Sequence, residues 1–235
     1  MSILYREYPL KETPPQKGER FHLILTKVPA DLGEFRREIL RRCFLEWKIV
    51  KRMLEDLPAL LMRDLGEAEA IEKKLALEKL GAGLQVCPSG TWKKVYMEIP
   101  TRKEEIAEGA ARIDRLLERS GLDSQDASAM ATACREALAN AAMHGNQDNP
   151  AKKIRLTYVR DPQKITFSVI DEGKGFDHRE LSRNLVAQGD AIQTTRKRQE
   201  QGLRGGLGIL LMSRCVDRIE FNEDGNEIKL IKRIS

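Results

Sequence analysis

The sequence predicts an α+β protein of two domains: a small β-α-α-β-α-β module, then a larger α/β sandwich whose mixed, mainly antiparallel sheet carries helices on one face. Three observations lead there. Apolar runs of strand length alternate with amphipathic stretches throughout. The later strands come in pairs joined by short turn sequences, Asp161-Pro162-Gln163 and Asp224-Gly225-Asn226. Between the halves, Pro88-Ser89-Gly90-Thr91 breaks every periodicity and marks the domain boundary.

Residues 1–20 are polar, contain Thr13-Pro14-Pro15 and read as a flexible tail. The small module takes residues 21–89. Phe21 to Val28 is a strand with an apolar centre. Residues 31–42 are helical, with Asp31 as cap and Phe35, Ile39 and Leu40 on one face. A second helix over 46–56 presents Ile49, Val50, Met53 and Leu54, and Pro58 stops it. Residues 58–63 are either a short strand or an irregular crossing. A third helix, from Glu67 to Leu80, turns Ile71, Leu75 and Leu80 inward and ends on Gly81. A strand over 83–86 completes the module.

The larger domain takes residues 90–235. A strand at 93–99 ends at Pro100. An amphipathic helix over 103–119 uses Ile106, Ala110, Ile113, Leu116 and Leu117. An alanine-rich helix over 124–144 is capped by Asp123 or Ser124; alanine favours helix and lets neighbours approach closely. Strands come next, at 153–160 and 164–170. Residues 178–204 are polar, basic and poorly periodic. A helix at 207–215 and strands at 216–222 and 227–233 end the domain.

Composition narrows the functional classes. The net charge of +5 suits an anionic ligand, but both signs are interspersed, as on any solvated surface. No aromatic-basic stacking motif or recognition helix suggests nucleic-acid binding. The four cysteines, Cys43, Cys87, Cys134 and Cys215, have no metal-finger spacing and read as small apolar residues in a reducing cytoplasm. No apolar run of spanning length points to a membrane.

Three segments carry chemistry. On the alanine-rich helix, Glu136, Asn140 and His144 recur every fourth residue and share one face, as a functional stripe or an ordinary solvated one would. Asp171-Glu172-Gly173-Lys174-Gly175 comes directly after an apolar strand. Asp171 there can accept a hydrogen bond from an exocyclic amine, and the glycines admit close backbone approach; a plain turn would read the same way. Arg204-Gly205-Gly206-Leu207-Gly208 opens into a helix whose free N–H groups suit phosphate. Neither glycine segment is a Walker loop or a dinucleotide fingerprint.

In this order the segments resemble the N, G1 and G2 boxes of the GHKL ATPases. Glu136-Ala137-Leu138-Ala139-Asn140-Ala141 followed by His144-Gly145-Asn146 is most similar to the anti-sigma-factor serine kinases. The resemblance covers about residues 92–235 and implies a set of roles. Glu136 would be the catalytic base. Asn140 would ligate Mg²⁺. ATP would be held by Asn140, His144, Asp171, Gly173, Gly175, Arg204, Gly206, Leu207 and Gly208. Within that set Asp171 would read the adenine amine, Gly173 and Gly175 would meet base and ribose, and residues 178–204 would form a lid with Arg196, Lys197 and Arg198 near phosphate. The implied activity is phosphorylation of an anti-sigma-factor antagonist of the STAS type by a cytoplasmic homodimer that also sequesters a sigma factor. The alternative is an ATP-binding regulatory protein that holds its partner without kinase turnover.

The small module resembles the C-terminal domain of the bacterial ribosomal stalk protein, through Phe21 to Val28 and Glu67 to Ala82. It departs from that family at the glycine-rich, lysine-bearing turn that meets GTPases, which here is Cys43-Phe44-Leu45-Glu46-Trp47-Lys48. Phe44 and Trp47 are either core or a docking patch.

Overall fold

The computed structural model describes residues 2–8, 19–43, 47–176 and 207–234. Phe44 and the lid over 178–204, with Arg196, Lys197, Arg198 and Arg204, lie outside these residues, as does Gly206. The chain separates into two compact units, residues 8–93 and a unit made of residues 1–7 with 94–235.

In the smaller unit the elements run β2 (Phe21–Lys27), α1 (Leu32–Glu38), α2 (Trp47–Leu54), β3 (Ala59–Leu65), α3 (Glu67–Glu78) and β4 (Gly83–Pro88). The strands form one sheet of order β3-β2-β4, with β2 antiparallel to both neighbours. Asp31 caps α1 by accepting from Gly33 N at 2.8 Å and Glu34 N at 3.1 Å. A π-helical turn, Ile39–Cys43, prolongs α1. It is braced by Glu38, whose carboxylate accepts from Arg41 and Arg42, and these two bonds hold its pKa down near 2. Gly81, at φ +83°, closes α3 in the left-handed region.

Two helix faces differ from expectation. Ile71 and Leu75 on α3 are 44% and 53% exposed, whereas Ala70 and Leu77 are fully buried with Phe35, Ile39 and Val50. Leu40 is likewise exposed, because the π turn rotates the helix after Ile39. Trp47 is partly buried, packs on this core and lies under the Arg36 guanidinium at 5.5 Å.

The larger unit contains β5 (Lys93–Pro100), α4 (Lys103–Glu118), α5 (Ser124–Asn140), β6 (Lys153–Arg160), β7 (Lys164–Ile170), α6 (Leu207–Cys215), β8 (Arg218–Phe221) and β9 (Glu227–Arg233). Its sheet has six strands, ordered β1-β5-β6-β7-β9-β8, and β6, β7, β9 and β8 pair antiparallel in succession. β1 is Leu4–Tyr8 and corrects the expected tail. Tyr5 packs on the core and lies under the Arg112 guanidinium of α4 at 5.2 Å, which fixes the strand in place. The small unit is therefore inserted, in sequence, between two hydrogen-bonded neighbours of this sheet.

Alternation places the core. Ile154, Leu156 and Tyr158 on β6, and Ile165, Phe167 and Val169 on β7, all face the helices. Ile113, Leu116 and Leu117 of α4, the alanines and Leu138 of α5, and Met212 of α6 meet them there. The unit is α+β, with its described helices packed on this core.

Candidate functional site

The site is built along α5. Ala133 and Ala137 are buried, so α4 and α6 approach closely and leave one helix side for polar groups. Glu136 and Asn140 are on that side, partly buried. Among the described residues neither side chain has a hydrogen-bond or ionic partner.

α5 does not end as a plain helix. From Ala141 to Gly145 the backbone widens into a π-helical turn, with Asn146 N donating to Ala141 O at 2.8 Å. Such turns concentrate at functional positions, because they re-aim the chain beyond them. Here the chain leaves through two left-handed residues, Gln147 and Asp148, at φ 58° and 52°. His144 sits in this turn, exposed.

Gly145 then lies against Asp171 at the end of β7, so closely that a methyl group at 145 would overlap its carboxylate. Gly173 is equally confined, between Gly145 O and the same carboxylate. Gly173 N donates to Asp171 Oδ1 at 2.7 Å. Burial lifts the Asp171 carboxyl above its ordinary range, and the Gly173 N–H works against that rise.

The other end of the site is Gly208, in the first turn of α6. A methyl group there would overlap Glu136 Oε1. Asp171 is thus registered at residue 145, in the turn that follows α5, and the first turn of α6 at residue 136 of α5, with Asn140 between them in sequence. Leu207 opens α6.

Gly175 has a different reason to be glycine. At φ +68° its Cβ position falls on Asp224 O, in the β8–β9 turn. Gly225 answers it, its own Cβ position falling on Phe176 O. Phe176 meets Phe221 edge-on, with centroids 5.6 Å apart. Packing on this turn is what Gly175 supports in the described residues. Asp171 N donates to Asn226 O at 3.1 Å in the same region.

Asn146, quoted with His144 and Gly145 in the family resemblance but given no role there, stands at the centre of these contacts. Asn146 is fully buried. Its Oδ1 accepts from Glu172 N at 2.8 Å, and its Nδ2 donates to Thr101 Oγ1 at 2.7 Å and Lys153 O at 3.1 Å. An asparagine just past a helix carries no signal beyond a turn residue, and its partners are far away in sequence.

A helix bearing a carboxylate and an amide without partners among the described residues is thus flanked by a confined aspartate and by a glycine at a second helix's start, an arrangement in keeping with a histidine kinase-like ATPase domain. The model of that family matches residues 99–232, more than half of the chain, and the chain belongs to it. Among curated proteins it is similar to the anti-sigma F factor of Clostridium beijerinckii, 28% identical over 43% of this chain and 64% of the relative. The anti-sigma F factor of Anoxybacillus flavithermus is 25% identical, over 44% of this chain and 67% of that protein. The serine-protein kinase RsbW of Oceanobacillus iheyensis is 20% identical, over 54% and 78%. The chain thus covers slightly less than two thirds of the first relative's length.

Proposed function

We propose that the chain is an ATP- and Mg²⁺-dependent protein serine/threonine kinase that phosphorylates a STAS-type anti-sigma-factor antagonist and sequesters a sigma factor. The observation that carries this reading is the close packing of Gly208 against Glu136 on α5 and of Asp171 against Gly145 in the turn that follows it, on either side of Asn140 in sequence. The names of the relatives, anti-sigma F factor and serine-protein kinase, support the same activity.

In this reading Asp171 accepts from the adenine amine. Asn140 would hold Mg²⁺ through its side-chain oxygen, a hard donor suited to a hard cation. Gly206, Leu207, Gly208 and Arg204 would be the phosphate contacts, as the family resemblance implies. His144 and Gly173 border the base. Bound ATP with Mg²⁺ contributes a transferable phosphoryl group with its charge neutralised. Glu136 takes the proton of the incoming serine hydroxyl.

Two variants test this. E136Q should bind ATP within about threefold of the parent while transfer to a captured STAS-type substrate falls by about 10²–10⁴. N140A should bind ATP with an affinity that no longer depends on Mg²⁺ in calorimetric titration. Undiminished transfer by E136Q removes the base from this scheme.

The small unit's β-α-α-β-α-β order supports its likeness to the ribosomal stalk domain, and we propose a protein ligand for it. The proposed protein is cytoplasmic and homodimeric, and sedimentation of the full chain tests the second point. No described helix is long and apolar enough to cross a membrane.

A further inference from the structure

We propose that Asn146 is a positioning residue for base selection: it sets Asp171 in place through the neighbouring Glu172 amide. The inference rests on the nucleotide reading given above and assigns a role that no box residue fills.

Asn146 joins four segments of chain. Its carbonyl oxygen must face Glu172 N, which only donates, and its amide nitrogen must face Lys153 O, which only accepts. The side-chain orientation is therefore determined by its partners. The second amide proton goes to Thr101 Oγ1, and that hydroxyl passes its own proton to Lys152 O at 3.0 Å. Glu172 is further tied to β6 because its Oε2 accepts from Lys153 N at 3.2 Å. The residue after Asp171 is thus clamped to the start of β6 and to the segment between β5 and α4.

Asp171 has its own backbone bonds to Asn226, but these hold it from the β9 side alone. Its carboxylate direction depends on the turn through Glu172 to Gly173, since Gly173 N bonds to Oδ1. Releasing Glu172 N frees that turn. Asn146 itself is fully buried beneath the turn and does not face a ligand, so it acts only through Asp171.

The substitution N146D keeps the acceptor for Glu172 N but takes away both donated hydrogen bonds. T101V removes one acceptor of the same network, and T101S retains it. The readout is the ratio of dissociation constants for ATP and for the triphosphate of purine riboside, which lacks the exocyclic amine. In the parent chain that ratio strongly favours ATP, because an analogue leaves the buried acceptor unpaired. We expect N146D and T101V to weaken ATP by about tenfold, with the amine-free analogue changed less than about threefold. T101S should restore the parental ratio. If N146D fails to fold, as judged by its thermal transition, the T101V and T101S pair decides alone. An equal loss for both nucleotides, or no loss, overturns the proposal. D171N is the control for the underlying reading: a parental ratio in D171N means that Asp171 does not read the amine at all, whatever Asn146 does.

Discussion

In the proposed reading, binding and stability pull in opposite directions at residue 171. The folded-state pKa of Asp171 is raised by burial, so protonation favours the folded chain. Its contribution to stability is fully present below the unfolded carboxyl pKa and is lost as pH rises through the folded value. Ionisation of the group therefore opposes folding. D171N keeps the acceptor for Gly173 N and lacks the charge, so it should melt no lower than the parent at pH 7 while losing ATP affinity. A Tm well below the parent's would refute this account of the site. Gly175 differs: G175A meets both a left-handed φ and Asp224 O, and should destabilise the unit by about 1–3 kcal/mol in denaturant titration. Glu136 and Asn140 could be placed on one helix side from sequence because a spacing of four is local helix geometry. Asn146 and Thr101 could not be brought together in that way, since their bond joins residues 45 positions apart. Cys43, Cys87 and Cys134 are buried, and burial pushes the Cys43 thiol up to about 11 and that of Cys134 well above its ordinary value.

At the scale of elements, α3 shows where periodicity misleads. Ile71 and Leu75 form a heavier apolar pair than Ala70 and Leu77, yet the lighter pair faces the sheet. A small residue lets the helix lie close, and hydrophobicity alone does not weigh that advantage. L77A should cost about 2–5 kcal/mol, whereas I71K and L75K should each shift stability by less than about 0.5 kcal/mol, read from urea midpoints. β1 was missed for another reason. Leu4–Tyr8 has strand composition, but its partner strand begins at Lys93, and no local pattern announces such a pairing. Y5A removes both core packing and the stack with Arg112, and should lower the unfolding free energy of the ATPase unit by about 1–3 kcal/mol. The hairpins of the larger unit were legible because Asp161 and Asn222 organise their turns locally, each accepting backbone N–H groups within five residues.

At the scale of the molecule, the polar turn at residues 88–91 was recognisable as a boundary, but not that the chain returns to a sheet it had already begun. The units part at Lys93 and Lys94, and the first residues belong to the second unit. A chain in which a short Gly/Ser linker replaces residues 9–92 should therefore fold and bind ATP, whereas removal of residues 1–8 from the full chain should damage the ATPase unit. Circular dichroism and ATP titration of the two deletions would separate these outcomes.

That early strand also sets an order of events at the ribosome. β1 is made before the whole small unit, and its neighbour in the sheet, β5, is made after it. Translation at about 5–20 residues per second leaves the strand's edge waiting for several seconds, while the small unit can already collapse on its own core. A nascent segment with unmatched N–H and C=O groups is one that chaperones bind and neighbouring chains capture.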